Sequence, residues 1–514
     1  MSVTKRIAFG AAASWFSRGV AIVLSIVLMP VLFHHLGKEE LGVWMLLAQT
    51  SAMIFILDLG LGATLTRRIA MAKGKGGSDP EAPLNEEAHR EIANLMESGR
   101  RLYQGIAVST FVVSSLSGFI YLQHLHLTTL SLPAVWTAWG ILCLGQSFGV
   151  WAQTWNCLLC GVGYVGWDAV LGSFISTGTL LVQIAALYLG GGLVTLATIA
   201  AVGFFAQRFL LLGFARSRRP ELFKIRGNFD GLVVRSMISP SLRFWATEVG
   251  LILVLNTDQF FIASLGSAAQ IPAYRAAYLV LINLNVMAVA AASVSSVFVS
   301  HLWQAGQIIE VHRVVVRNLR LGLGIMAASG ACVLVLGPRL FDVWLGAGNF
   351  IGRPILGIFV ALLFLETQSS GITLGSRATE DEVFAPWALG AGAIKLTLAV
   401  LLGVRYGLMG IALSTLLAQL ATNHWYMVYR GLNRLQISFE SHLTNVLLPV
   451  AGLFVVVTIA VWLPIAGNLF ATDWQAVLAG GAISGILLAA FMWFFVLESG
   501  HRQRFSAWSQ LARQ

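Results

Sequence analysis

The sequence predicts an all-α polytopic membrane protein of about 14 transmembrane helices, and three observations predict it. The first is charge. Of 514 residues, 57% are apolar and only 11% are charged, against about 25% charged in an ordinary soluble domain. So few charges cannot cover a soluble surface, which excludes a cytosolic or secreted globular enzyme. The mean hydropathy of +0.78 agrees. The second is run length: stretch after stretch reaches the roughly 20 apolar residues needed to cross a hydrocarbon core of about 30 Å. The third is where the excess positive charge lies. The formal net charge is +10, and the basic residues sit in alternate loops between the apolar runs, as they do when positive loops stay cytoplasmic.

The first run, 11–33, follows Lys5 and Arg6 and reaches Phe33 without a cleavage site, so it reads as a retained helix rather than a signal peptide. The second, 41–62, follows Lys38. Between the second and third lies the one long polar stretch, 66–101. Its start, Lys73-Gly-Lys-Gly-Gly-Ser-Asp-Pro, has linker composition, and 86–101 reads as a charged helix leading into the third run, 102–122. Runs at 134–157, 167–188 and 193–214 follow. After the basic segment 215–241 come 242–264, 273–299, 319–338, 353–373, 386–404 and 407–429. The last two are 443–464 and 474–497. With a cytoplasmic N-terminus, the basic clusters at 5–6, 67–101, 216–235, 313–320, 377, 430–434 and 502–513 all fall on the cytoplasmic side. Only Lys38, Arg339, Arg353 and Arg405 fall opposite. Both termini are then cytoplasmic, because the number of spans is even.

A weak repeat divides the chain. Leu36-Gly37 followed by Gly42-Val-Trp44 returns six helices later as Leu265-Gly266 followed by Ala273-Tyr274. An even offset makes the copies parallel and describes two lobes about an axis along the membrane normal. The expected organisation is an N-terminal lobe at 1–214 (with the cytoplasmic loop 66–101), a linker at 215–241, a C-terminal lobe at 242–429, and two further helices with a cytoplasmic tail at 430–514.

Motifs with catalytic associations dissolve on inspection. Gly161-Val-Gly163-Tyr-Val-Gly166 has dinucleotide-fingerprint spacing but membrane spans on both flanks, so it reads as a tight interhelical turn. Cys157 and Cys160 lack a second ligand pair and read as inert thiols. With four Cys there is no disulfide framework. There is no H-E-x-x-H, no P-loop and no G-x-S-x-G. The sequence suggests no enzyme, cofactor, metal site or nucleic-acid partner.

The informative residues are charges inside apolar runs, which are costly in hydrocarbon and mark pathways or buried partners. The bases are Arg18, Arg208, Arg243, Arg275 and Lys395, and the acids are Asp58, Glu248, Asp258 and Glu366. Arg18, about eight residues into its helix, is roughly 12 Å deep at 1.5 Å per residue. Lys395 is near the midplane, whereas Arg208 is close enough to the cytoplasm to snorkel. One reading pairs acids with bases, for instance Glu366 with Lys395 or Glu248 with Arg243. The other makes Arg18, Arg243, Arg275 and Lys395 binders of an anionic cargo, and Glu248, Asp258 and Glu366 carriers of a coupling proton or Na⁺.

The stretch Pro30-Val-Leu-Phe-His-His-Leu-Gly-Lys-Glu-Glu-Leu-Gly-Val-Trp44, with Leu57-Asp-Leu-Gly-Leu-Gly-Ala-Thr-Leu-Thr-Arg67, resembles the start of polysaccharide transporters of the O-antigen flippase type. Their superfamily also holds multidrug and toxin extruders and the lipid II flippase. Leu158-Leu-Cys-Gly161, Asp258-Gln-Phe-Phe-Ile-Ala-Ser-Leu-Gly266 and Tyr406-Gly-Leu-Met-Gly410 extend the likeness over most of the chain. The resemblance implies a V-shaped pair of six-helix lobes in the cytoplasmic (inner) membrane, working by alternating access. Its cargo would be an O-antigen, capsule or exopolysaccharide repeat unit on a polyprenyl diphosphate, with a glycan polymerase and a chain-length regulator as partners. Arg18 and Arg275 fall on helices 1 and 8, where the lipid II flippase keeps cavity arginines. The rest of that arginine set is missing, so lipid II is not the expected cargo. The competing readings are a cation-coupled multidrug antiporter of the same superfamily and a polyprenyl-linked glycan polymerase or ligase. The latter would need a large outer loop, which the sequence lacks.

Overall fold

The structure is a computed structural model that describes residues 3–53, 57–74, 85–125, 127–224, 227–304, 306–379 and 385–497. Its helices are α1 (Val3–His35), α2 (Lys38–Met53), α3 (Leu61–Gly74), α4 (Glu86–Leu122), α5 (Leu132–Trp151), α6 (Gln153–Val162), α7 (Val165–Tyr188) and α8 (Leu193–Arg218). There follow α9 (Gly231–Leu255), α10 (Asp258–Leu265), α11 (Ile271–Gln304), α12 (Ile308–Leu345), α13 (Arg353–Arg377) and α14 (Ala385–Ala421). The last are α15 (Asn423–Arg434), α16 (Phe439–His442), α17 (Leu448–Ala466) and α18 (Asp473–Phe491). No strand occurs among the described residues. Nine helical stretches among them are long and apolar enough to cross a membrane. The chain is an all-α, multi-pass membrane protein.

The apolar runs fall on helices, but two are broken where hydropathy shows continuity, and two that hydropathy separates are joined. The second is broken ahead of Leu61, where Leu59 (φ 53°) and Gly60 (φ 70°) are left-handed. The seventh is cut at Asn256–Thr257, between α9 and α10. The eleventh and twelfth merge into α14 across a kink at Gly407 (φ 57°, ψ −137°). That conformation is open in practice only to glycine. A side chain at Gly410 would put its Cβ 1.9 Å from the Leu402 carbonyl oxygen, so the kink needs both glycines of the Tyr406–Gly410 motif.

The chain forms two compact units: Met1–Ile252 with Gln259–Pro272, and Leu253–Asp258 with Ala273–Gln514. In unit 1, α5 packs on α4 and α8, α1 runs along α7, and α3 lies against α6. Leu65, Ile69, Ile92, Tyr103, Leu158 and Leu211 form its core. The Gly161–Gly166 motif is a turn, as its spacing between two spans suggested. α6 ends at left-handed Gly163, and the Tyr164 N–H bonds back to the Leu159 carbonyl at 3.0 Å, a standard glycine-capped helix terminus. At Gly42, a Cβ would lie 1.8 Å from the Ala268 carbonyl oxygen, which explains a glycine at the start of the Gly-Val-Trp motif.

Two adjacent glutamates on α2 tie down other parts of unit 1. Glu39 accepts backbone N–H bonds from Thr128 (2.9 Å), Thr129 (3.1 Å) and Leu130 (3.2 Å), and the Thr128 hydroxyl. Glu40 accepts the Leu193 N–H at 2.7 Å, capping α8. Desolvation pushes the Glu39 carboxyl up, but the donors of the 128–130 loop outweigh it and hold it below the ordinary glutamate range.

Unit 2 is organised around α12, against which α13, α17 and α18 pack. Its face of Leu323, Ala327, Ala328 and Ala331 is fully buried, small residues allowing close helix approach. Arg320 on α12 donates to the carbonyls of Asn445 (2.6 Å) and Phe495 (2.8 Å). Both carbonyls lie in π-helical turns, at Leu443–Leu447 and Met492–Val496, where regular helix bonding is disturbed.

Candidate functional site

The break at Asn256–Thr257 puts Asp258 at the first position of α10, where an acid is favoured by the helix dipole. The kink at Gly407 folds α14 so that Lys395, before it, meets Ile411 and Ser414, beyond it. Lys395 is 0% exposed. Its ammonium donates to Asp258 Oδ1 (2.5 Å), Ser414 Oγ (2.7 Å) and the Ile411 carbonyl (3.2 Å). Three donors meet three acceptors. Asp258 Oδ1 also accepts from Thr415 (3.2 Å), and Oδ2 accepts the Tyr274 hydroxyl at 2.5 Å. Tyr274 is held edge-on against Phe359, 4.9 Å between centroids. This is a closed, buried ion pair, the geometry in which Coulomb attraction can offset desolvation.

Glu366 belongs elsewhere. The expected pairing with Lys395 does not occur, because Asp258 reaches the lysine first through the helix break. Glu366 instead accepts from Ser370 (3.0 Å) and Gln419 (3.2 Å), both neutral. Arg275, next to Tyr274 on α11, is half-buried, with its guanidinium 5.7 Å from the Tyr278 ring centroid. Among the described residues it makes no ion pair. Lys395 is thus committed to an acid, Arg275 lies against an aromatic ring, and Glu366 has neutral donors.

No family model and no curated protein matches this chain. Solved structures do match. A structure of the lipid II flippase MurJ in an inward closed conformation superposes with a TM-score of 0.72 at 14% identity, covering 95% of this chain and 98% of that one. An inward-facing multidrug resistance MATE family transporter of the MOP superfamily gives 0.61 at 13% identity over 83% and 99%. The MATE multidrug transporter DinF-BH in complex with R6G gives 0.57 at 15% identity over 85% and 98%. The fold is that of these transporters.

Of the other sequence-derived candidates, Arg18 lies on α1 and Arg243 and Glu248 on α9, and their side chains lie outside the described residues. Arg208 corrects an expectation. It does not snorkel: it is 8% exposed, inside unit 1, with Asp168, Cys157, Tyr103 and Asp58 as its electrostatic neighbours. Asp168, within the run 167–188, is the acid that sequence reasoning passed over. It stands just behind Gly166-Trp167, at the edge of that apolar run. The signal was an uncompensated acid on α7 facing an arginine on α8.

Proposed function

We propose that this protein is a flippase that moves a polyprenyl-diphosphate-linked oligosaccharide across the cytoplasmic membrane by alternating access. The observation that carries the reading is Arg275. An arginine in a spanning helix costs at least about 2.5–3.5 kcal/mol on insertion scales. Its ring contact with Tyr278 returns about 0.5–2 kcal/mol. An anionic ligand offsets the remainder, and a guanidinium fork suits a diphosphate through paired, charge-assisted hydrogen bonds. Arg18 and Arg243 are proposed as further binders of the anionic cargo. Lys395 is not, because its three donors are committed to Asp258, Ser414 and Ile411. Coverage supports the same reading: the likeness to the flippase takes in 95% of the chain, and that to the MATE transporters 83–85%. The O-antigen-type motifs favour a glycan repeat unit as cargo.

Glu366 favours a second reading, a cation-coupled antiporter, since a carboxylate held only by neutral donors can take a proton, Na⁺ or an organic cation. Within the flippase reading, the same residue is the described candidate for ion coupling. Deleting the gene separates the two. A flippase leaves a lipid-linked repeat unit accumulating on the cytoplasmic side, with drug susceptibility unchanged. Hypersensitivity to organic cations with normal glycan export would instead establish the antiporter. With cytoplasmic termini, a cysteine at position 505 labels only from the cytoplasm and one at 127 only from outside.

A further inference from the structure

Unit 1 carries a groove that the flippase reading does not use. It is lined by α4, α5 and α8 and has a volume of about 760 Å³. Val108, Leu144 and Val202, one from each helix, line it with more than half of each residue exposed. Half-buried rings stand beside them: Phe148 lies 4.3 Å from Phe205 and 5.4 Å from Trp151, centroid to centroid. Along α5 the groove runs from Ile141 to Trp151, about 15 Å at 1.5 Å per residue. That is half of a hydrocarbon core of about 30 Å, the depth of one leaflet.

One end of the groove sets it apart from ordinary lipid-facing surface. On α4, the stripe through Val108 and Gln104 continues one turn back to Arg100 and Arg101. Both arginines are exposed and share a single acid, Glu97, at 2.8 and 3.0 Å. Their bonds to Glu97 use three N–H groups, whereas each guanidinium carries five. The other acids of α4 are Glu86, Glu87 and Glu91, about 13 Å or more beyond Arg100. On α8, the stripe through Val202, Phe205 and Phe209 leads to exposed Arg216, whose guanidinium is 5.5 Å from the Phe223 ring centroid. The basic ends of α4 and α8 adjoin, since His89 Nε2 meets the Glu221 carbonyl at 2.7 Å. Nearby acids are engaged: Glu221 pairs with Arg219, and Asp230 accepts the Leu232 N–H at 2.8 Å. The rim is left with an excess of positive charge.

We propose that this groove binds an anionic glycerophospholipid, one acyl chain lying in the groove and the phosphate on Arg100 and Arg101. Charge, amide and hydrocarbon follow one another along the α4 stripe, in the order of a phospholipid's phosphate, ester carbonyls and chain. Gln104 is three residues inside Arg101, about 4.5 Å deeper, where its amide N–H groups can donate to an ester carbonyl. Arg216 adds to the attraction for an anionic headgroup at the same rim. A polyprenyl carrier offers no ester to Gln104, and its chain exceeds one leaflet. The site is formed by unit 1 alone and stands or falls independently of the flippase reading.

The test uses purified full-length protein in detergent micelles, with dioleoylphosphatidylglycerol and dioleoylphosphatidylcholine as probes and the melting temperature as readout. Phosphatidylglycerol should raise the melting temperature in a saturable way, and phosphatidylcholine should not. Arg100→Gln and Arg101→Gln should each weaken the response about fivefold, the worth of one basic residue beside an anionic headgroup. Val108→Trp leaves the arginines in place and fills the groove from an exposed position. It should weaken the same response about fourfold for each methylene displaced. Equal responses to the two lipids overturn the proposal, because they mark generic lipid contact. An unchanged response in Val108→Trp also overturns it, because surface charge alone then suffices, and this arm decides if the arginine variants fail to fold. A response to undecaprenyl phosphate in place of phosphatidylglycerol overturns it in favour of the carrier.

Discussion

Two buried charge clusters, one in each unit, are built from the same kinds of groups and are finished differently. Around Asp258 and Lys395 in unit 2, one acid meets one base, and both carboxylate oxygens and all three ammonium donors are engaged. Around Asp58 and Arg208 in unit 1, no ion pair forms among the described residues, and Asp58 Oδ1, the Tyr103 hydroxyl and Gln153 Oε1 are buried without hydrogen-bond partners. The first arrangement is a structural joint: it pins Asp258 to the kinked α14 within unit 2, and nothing has to arrive for it to be complete. The second leaves those polar atoms unmet. Burial and charge alone do not separate a closed joint from an open cluster. The count of unmet donors and acceptors does.

The largest effect that can break this comparison is expected from Asp258→Asn, which strands the Lys395 charge. Losing one partner of a buried pair costs about 3–5 kcal/mol, so the variant should melt far below the wild type or fail to accumulate. Adding Lys395→Met should restore most of the loss. If the single variant melts normally, the joint is not one.

Glu39→Gln comes next. It keeps the shape but weakens the acceptor for three backbone N–H groups and a hydroxyl, at a cost of about 1–3 kcal/mol. The sign of its pH dependence follows from the depressed carboxyl. A group whose folded value lies below its unfolded value contributes fully above the ordinary glutamate range, about 4.3, and loses the contribution as pH falls through the folded value. Thermal melts of wild type and variant should therefore differ most near neutrality and converge in acid. A gap that widens on acidification contradicts the assignment.

The smallest effect on stability is expected from Asp58→Asn. Asparagine keeps an oxygen that can accept the Gly62 N–H, so the melting temperature should change by the equivalent of less than about 1 kcal/mol. A loss as large as that of Asp258→Asn would make both clusters joints.

Much of this was legible in the sequence. The depth of Lys395 and the acid at Asp258 follow from counting residues along apolar runs, and the turn at Gly161–Gly166 follows from its flanks. The partner of Lys395 did not. Which acid reaches it depends on the cut at Asn256–Thr257 and the kink at Gly407, and hydropathy gives the place of a polar interruption but not the direction in which the chain turns there. Arg208 misled for a related reason. Its distance along α8 from the basic segment suggests snorkelling, but Asp58 and Asp168 come from other elements and hold its environment polar where it is. The left-handed Leu59 that places Asp58 has no signature in a Leu-Asp-Leu-Gly stretch beyond the glycine.

The account rests most heavily on the contrast between Arg275 and Lys395, one cation held for cargo and one for the fold. Purified protein in proteoliposomes, given a fluorescent polyprenyl-diphosphate oligosaccharide, reports transport by protection of the probe from a membrane-impermeant quencher, with melting temperature measured in parallel. Arg275→Ala should melt as the wild type and lose most of its transport, with Arg275→Lys between the two. Lys395→Met should lose melting temperature first. Wild-type transport by a stably folded Arg275→Ala protein would contradict the account.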